Sequence, residues 1–321
     1  METPLAIFEI GINHMGDKAR ALRMVDTLIT QGATLLTVQA LVEPLAYNRD
    51  IAGAKTLQPN CLSFDDTGAV VSYARAAGAH VGVAILDPAH AQRFVDAGAS
   101  FFKVLSSDIT YTPLHLAAAK TKVPLYLSTA ASTPDEMIKA VNLIRSHYPD
   151  ADIRLIHTVF PIPTPGAQLN LSAIPFLIEK VGIPVSYGQH AAVMEALPAA
   201  IAAGAESVFV YVAEELSPAL VDGPHAILCN EAGKVLDMLA QTRAMMGPHD
   251  RVMGEQEQSW RAKIRRSVVA NRAIVRGETI TQEMVNYKRP GTGISPWDIG
   301  RVVGSVATRD YAPDEDISNT I

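Results

Sequence analysis

The sequence predicts an α/β protein: a (β/α)8 TIM barrel followed by a small, mostly β module. Three observations predict it. Short apolar runs alternate with Ala-rich amphipathic segments eight times over. The runs are apolar on both faces, which suits a parallel sheet covered by helices. Four helical segments end in one device, Gln31-Gly-Ala, Ala77-Gly-Ala, Ala97-Gly-Ala and Ala203-Gly-Ala. A glycine there takes the left-handed conformation that stops a helix before the next strand. An open doubly wound sheet is the rival, but no Gly-x-Gly-x-x-Gly follows the first run.

In chain order, the expected strands are residues 5–12, 34–40, 80–86, 101–106, 124–129, 152–159, 184–189 and 207–213. Amphipathic helices are expected between them, for example over residues 18–30, 134–145 and 192–203. Such a barrel takes about 250 residues. The pattern breaks near Met246 into Gly-Pro-His-Asp and a charged, Gln-rich stretch. The expected division is therefore a barrel over 1–246, a partly helical linker over 247–263, and a module of short strands over 264–321. In that module, two glycines and two prolines within Tyr287-Lys-Arg-Pro-Gly-Thr-Gly-Ile-Ser-Pro296 specify backbone shape.

Hydrophobic content of 48% and charged content of 19% fit a globular protein with a generous core. The net charge of −6 argues against a sequence-independent grip on nucleic acid, which needs a basic face. Cys61 and Cys229 have no metal-ligand spacing and read as idle thiols. With no secretory segment and no long apolar run, the expectation is a cytoplasmic protein without membrane contact.

Side chains at the C-terminal strand ends of such a barrel face its catalytic mouth. The first strand offers Glu9, then Asn13 and His14; the second offers Thr37 and Gln39. The fourth gives Lys103, Ser106, Ser107 and Asp108, and the fifth Ser128 and Thr129. His157 and Thr158 end the sixth, Tyr187, Gln189 and His190 the seventh, and Tyr211 the eighth. Lys103 with the hydroxyls of Ser106, Ser128 and Thr129 could hold a phosphate or carboxylate. Glu9, costly inside an apolar strand unless used or paired, could move a proton. His14, His157 and His190 could polarise a carbonyl or hold a metal. Ser107 and Ser132 read as helix caps, and His157 reads equally well as a core hydrogen-bonding group. A Schiff base on Lys103 is a further reading of the same residues.

Several segments resemble the sialic acid synthase family. The opening Phe8-Glu-Ile-Gly-Ile-Asn-His-Met-Gly-Asp17 resembles its first strand, and residues 287–296 resemble its C-terminal antifreeze-like (SAF) domain. Phe102-Lys-Val-Leu-Ser-Ser-Asp108, Leu127-Ser-Thr-Ala-Ala131 and Leu155-Ile-His157 with Asn170-Leu171 are similar to its fourth to sixth units. Ser186-Tyr-Gly-Gln-His190 and Gly223-Pro-His225 match later motifs. The resemblance implies condensation of phosphoenolpyruvate with an acylated aminosugar aldehyde to a nine-carbon 2-keto-3-deoxy acid. It implies a catalytic group of Glu9, Asn13 and His14. Substrate contacts would come from Gln39, Lys103, Ser106, Ser128, Thr129, His157, Asn170 and Tyr187. His190 would hold a divalent metal, manganese or magnesium. A homodimer with swapped C-terminal domains would bring Arg289 to the neighbouring chain's acceptor.

The chain departs from the family's pattern at chemically important points. Thr37-Val38-Gln39 stands where the family has Lys-Phe-Gln, whose lysine binds phosphate. Phe209-Val210-Tyr211 stands where it has Glu-Lys-His, whose histidine is a metal ligand. Gln189 and Ala130 replace an aspartate and a glycine. Arg49 or Lys55 could restore the missing charge. These departures leave an alternative: a non-catalytic or altered-specificity paralogue that binds a sugar or an acidic metabolite.

Overall fold

The computed structural model describes residues 5–217, 219–248 and 250–317. Residues 1–4, 218, 249 and 318–321, which include the first residue of the expected barrel and the last of the expected module, lie outside that description. The chain divides into two compact units, Met1–Gly247 and Pro248–Ile321.

In the first unit eight parallel strands close a barrel. They are β1 (Ala6–Gly11), β2 (Leu35–Gln39), β3 (His80–Ala84), β4 (Phe101–Val104), β5 (Leu125–Ser128), β6 (Ile153–His157), β7 (Val185–Gly188) and β8 (Val208–Ala213). Each pairs with its successor and β8 returns to β1. All eight lie within the expected runs. A two-residue strand, β9 (Ile227–Leu228), pairs alongside β8 and was not expected.

Eight helices follow the strands: α1 (Lys18–Thr30), α2 (Phe64–Ala76), α3 (Ala91–Asp96), α4 (Thr112–Lys120), α5 (Pro134–His147), α6 (Ala173–Val181), α7 (Ala196–Ala202) and α8 (Ala232–Met246). α5 starts on a capping box: Thr133 Oγ1 accepts from the Glu136 N–H, and the Glu136 carboxylate accepts from the Thr133 N–H. Gly32, Gly78, Gly98 and Gly204, just beyond α1, α2, α3 and α7, all have positive φ, as the Gly-Ala device requires. Two further short helices, Pro44–Tyr47 and Ile51–Leu57, precede α2.

Strand pleating sorts the side chains into two shells. Outward residues such as Phe8, Leu36, Phe102, Leu155 and Val210 join the large core beneath the helices. Inward residues Ile7, Phe101, Tyr126, Ile156 and Phe209 fill the barrel. Tyr126 stands edge-on to Phe101 and to Phe209, with ring centroids 5.3 and 5.4 Å apart. A Cβ on Gly82 would lie 2.1 Å from the Phe101 ring, so only glycine admits that ring. The next inward positions, two residues on, are Glu9, Lys103, Ser128, Thr158 and Tyr211, all buried. The apolar plug is thus the floor of a polar layer.

In the second unit, helix α9 (Glu255–Ile264) occupies much of the expected linker. β10 (Ser267–Ala270) pairs antiparallel with β11 (Val285–Lys288), and bridges such as Ile274 with Tyr311 extend the pairing. Val268, Ile274, Ile280, Val302, Tyr311 and Ile317 form its own core. Both cysteines are free thiols.

Candidate active site

The polar layer is tied together by Lys103. Register sets Glu9 level with Thr37 on one side and Tyr211 on the other, while Lys103 stands level with Tyr126. Lys103 Nζ donates to Glu9 Oε2 at 2.7 Å and to the Tyr211 hydroxyl at 3.3 Å. The second Glu9 oxygen, Oε1, is buried without a partner. Burial opposes the Lys103 charge, but the Glu9 carboxylate and the Tyr211 hydroxyl hold the ammonium above its ordinary pKa. A cation so held is a poor amine nucleophile, which speaks against the Schiff-base reading.

His190 follows β7. Its Nδ1 lies 3.1 Å from the Val159 carbonyl oxygen and its Nε2 3.4 Å from the Tyr211 hydroxyl. Phe160 stacks on the ring at 5.7 Å. Burial, and then the Lys103 charge, keep the imidazole neutral with a pKa of about 4. Burial raises the Tyr211 phenol to about 12.

Above this layer opens a cavity of about 580 Å³. Lys103, Ser106, Ser128, His190, Tyr211 and Gln39 line it, as do Ile12, Leu41, Leu57, Phe160 and Ile162 on its apolar side. Ser106 Oγ accepts from the Ala130 N–H at 3.0 Å, leaving its own hydrogen for a ligand or for Thr158 Oγ1 at 3.5 Å. Asp222, from the loop after β8, also lines the cavity, with its carboxyl raised to about 7 by burial and then by the Glu9 charge. Gly11 makes room for it: φ is +54°, and a Cβ would lie 3.0 Å from Asp222 Oδ2. His225 is buried behind, edge-on to Tyr211 at 4.6 Å, with neither ring nitrogen hydrogen-bonded.

The expected residues divide by the pleat. Glu9 and Tyr211 meet in the polar layer, and Gln39, Lys103, Ser106, Ser128 and His190 line the cavity. Thr129, His157 and Tyr187 do not: each is one residue out of phase with an inward neighbour. Thr129 Oγ1 donates to the Ile156 carbonyl at 2.9 Å, and His157 Nε2 meets the Leu169 carbonyl at 2.9 Å. Tyr187 packs in the outer core. Asn13 turns back to donate to the Val212 carbonyl at 2.8 Å, and His14 Nδ1 accepts from the Gly16 N–H at 3.1 Å. Asn170 is an exposed loop residue with φ of 47°, and Arg289 is exposed in the second unit. Arg49 and Lys55 are exposed and neither lines the cavity. The Thr37 hydroxyl is buried without a partner.

The sequence pattern points to no role for Asp222. Its signal was the Asp222-Gly-Pro-His225 turn, which carries an acid and an imidazole but no strand periodicity.

A divalent ion requires several oriented lone pairs. Among the described residues, no three His, Cys, Asp or Glu side chains are grouped to hold one. The Nε2 of His190 faces a phenol, and the neighbouring cation is Lys103. This donor set does not fit a divalent metal.

The model of the NeuB family matches residues 45–250, well over half of the chain. The chain belongs to the NeuB family. The SAF domain model matches residues 265–319 of this NeuB-family protein. It is 26% identical to an uncharacterised protein of Methanocaldococcus jannaschii, across 98% of this chain and 93% of that protein. It is 24% identical to the N,N'-diacetyllegionaminic acid synthase of Legionella pneumophila, across 94% of this chain and 90% of that enzyme. The N-acetylneuraminic acid (sialic acid) synthetase of Leptospira borgpetersenii superposes with a TM-score of 0.75 at 23% identity, over 79% of this chain and 89% of that one. That likeness carries the fold alone.

Proposed function

We propose that the barrel condenses phosphoenolpyruvate with an acylated aminosugar aldehyde, releasing phosphate and yielding a nonulosonic 2-keto-3-deoxy acid. Membership of the NeuB family and the similarity to a legionaminic acid synthase support this reading. The observation that carries it is the buried Glu9–Lys103 pair beneath a cavity with hydroxyls on one wall and apolar side chains on the other.

In this reading Lys103 supplies a fixed positive charge for the anionic donor, and Ser106 and Ser128 donate hydrogen bonds to it. The free Oε1 of Glu9 orients the water that adds at the donor's C2 and holds the proton that water loses. Asp222, whose carboxyl burial raises to about 7, is a second proton carrier on the same wall. Leu41, Leu57, Phe160 and Ile162 exclude water from the acceptor's apolar side. In the same reading the protein is a cytoplasmic homodimer with swapped C-terminal domains, and Arg289 serves the partner chain's acceptor. The test is phosphate release from phosphoenolpyruvate across a panel of acylated hexosamines. Turnover with one of them, abolished by Glu9→Gln, is the expected result; no turnover with any overturns it.

Two features favour a second reading, a binding protein for an acidic metabolite. Lys103 is already engaged by Glu9, and the second strand brings a hydroxyl, Thr37, to the layer where it brings no charge. Calorimetric binding of phosphoenolpyruvate without turnover on any acceptor would decide for it.

A further inference from the structure

We infer that this barrel works without a divalent cation, and that Tyr211 is the residue that keeps one out. The inference rests on reading the cavity as the reaction site, but not on which substrates it takes.

One chain of hydrogen bonds fixes where the lone pairs lie. His190 Nδ1, 3.1 Å from the Val159 carbonyl oxygen, must carry hydrogen to bond there, so Nε2 carries the ring's lone pair. Nε2 faces the Tyr211 hydroxyl at 3.4 Å. The same hydroxyl receives a hydrogen from Lys103 Nζ at 3.3 Å, and an ammonium accepts none in return. The phenol's own hydrogen is therefore left for Nε2. Donation runs one way, from Lys103 through Tyr211 to His190, and it ends on the lone pair that an ion would need.

The charge already in place points the same way. Lys103 is 3% exposed and salt-bridged to Glu9 at 2.7 Å, so a full positive charge sits permanently against the phenol. An ion on Nε2 would have to expel the phenol's hydrogen and then settle beside that ammonium. The second imidazole has a different neighbour. His225 lies edge-on to His190 at 5.6 Å, and its Nε2 is 3.9 Å from Asp222 Oδ1. Among the described residues no trio of metal-binding side chains is grouped here. The stabilisation of an oxygen that gains negative charge then falls to the Lys103 ammonium, which lines the cavity and has a third hydrogen to donate.

The test reads ion binding directly. Chelator-stripped protein is titrated with Mn²⁺, and free Mn²⁺ is followed by electron paramagnetic resonance for four proteins: wild type, Tyr211→Phe, Tyr211→His and Tyr211→His with His190→Ala. Wild type is expected to take up no ion in the barrel, and neither is Tyr211→Phe, which frees the His190 lone pair but supplies no second ligand. Tyr211→His replaces the hydrogen donor that faces His190 Nε2 with an imidazole and is expected to bind a single ion; adding His190→Ala then removes that binding. Mn²⁺ should raise the melting temperature of Tyr211→His alone, which also shows that this variant is folded. A wild type that binds Mn²⁺ and loses it on His190→Ala overturns the inference. So does a cooperatively melting Tyr211→His protein that takes none. Phosphate release that persists in EDTA supports it, and release that needs Mn²⁺ overturns it. Absence of any release counts against the proposed function alone, because the ion titration stands without turnover.

Discussion

At the scale of single residues, the buried Glu9–Lys103 pair makes the sharpest stability prediction. Glu9→Gln leaves an unpaired ammonium inside the barrel and is expected to cost about 3–5 kcal/mol. Glu9→Gln with Lys103→Met removes both charges and should recover much of that loss, measured by denaturant unfolding. Asp222 predicts a pH dependence of definite sign. Its carboxyl is raised from 3.8 to about 7, so the folded state holds the proton more tightly than the unfolded chain. That contribution is fully present below the unfolded pKa and is lost as pH rises towards 7. Asp222→Asn should remove the loss and be more stable than wild type at pH 8 by roughly 2–4 kcal/mol. The quantity to read is the difference between the two proteins across pH. His14, His190 and His225, lowered by burial to about 4, 4 and 3, act with the opposite sign as pH falls below their ordinary value. Much of the site was legible in the sequence, because Glu9, Lys103, Ser128 and Tyr211 share one strand face. Thr129, His157 and Tyr187 were misplaced although the same alternation excludes them: each directly adjoins an inward position. Asp222 was not legible, since a loop has no period from which to infer where a side chain points.

At the scale of elements, the barrel was readable almost throughout. Continuous apolar runs and the Gly-Ala stops mark strand and helix boundaries through local chemistry, and the eight expected strands all formed. β9 escaped because two residues carry no pattern, and the β8–α8 connection that contains it also brings Asp222. Two substitutions probe the elements themselves. Thr133→Ala breaks the capping box of α5 and should lower stability by about 1 kcal/mol. Gly82→Ala drives a methyl group into the Phe101 ring and should cost about 1–3 kcal/mol through displaced packing. The second change also disturbs the floor under Lys103, so thermal unfolding and phosphoenolpyruvate binding should fall together. If stability falls and binding does not, the apolar plug is independent of the layer above it.

At the scale of the whole molecule, each unit has its own core, and that of the second unit, residues 248–321, is drawn from residues between Val268 and Ile317. That segment, expressed alone, should melt cooperatively but with marginal stability, as a chain of about 70 residues does. Light scattering on the full chain tests the dimer: a monomer at all concentrations would remove the swapped arrangement and the role of Arg289. Across the barrel mouth, the crowding of Asp222 against Glu9 has a consequence for how a ligand enters. An anionic guest adds a third negative charge to the neighbourhood and pushes the Asp222 carboxyl higher still. Binding near neutral pH must then be accompanied by capture of a hydrogen ion from solvent. The heat of association should change with the ionisation enthalpy of the buffer, and Asp222→Asn should erase that dependence. The cavity would thus take in its guest and a proton as one event, with the surrounding solution as the source of both.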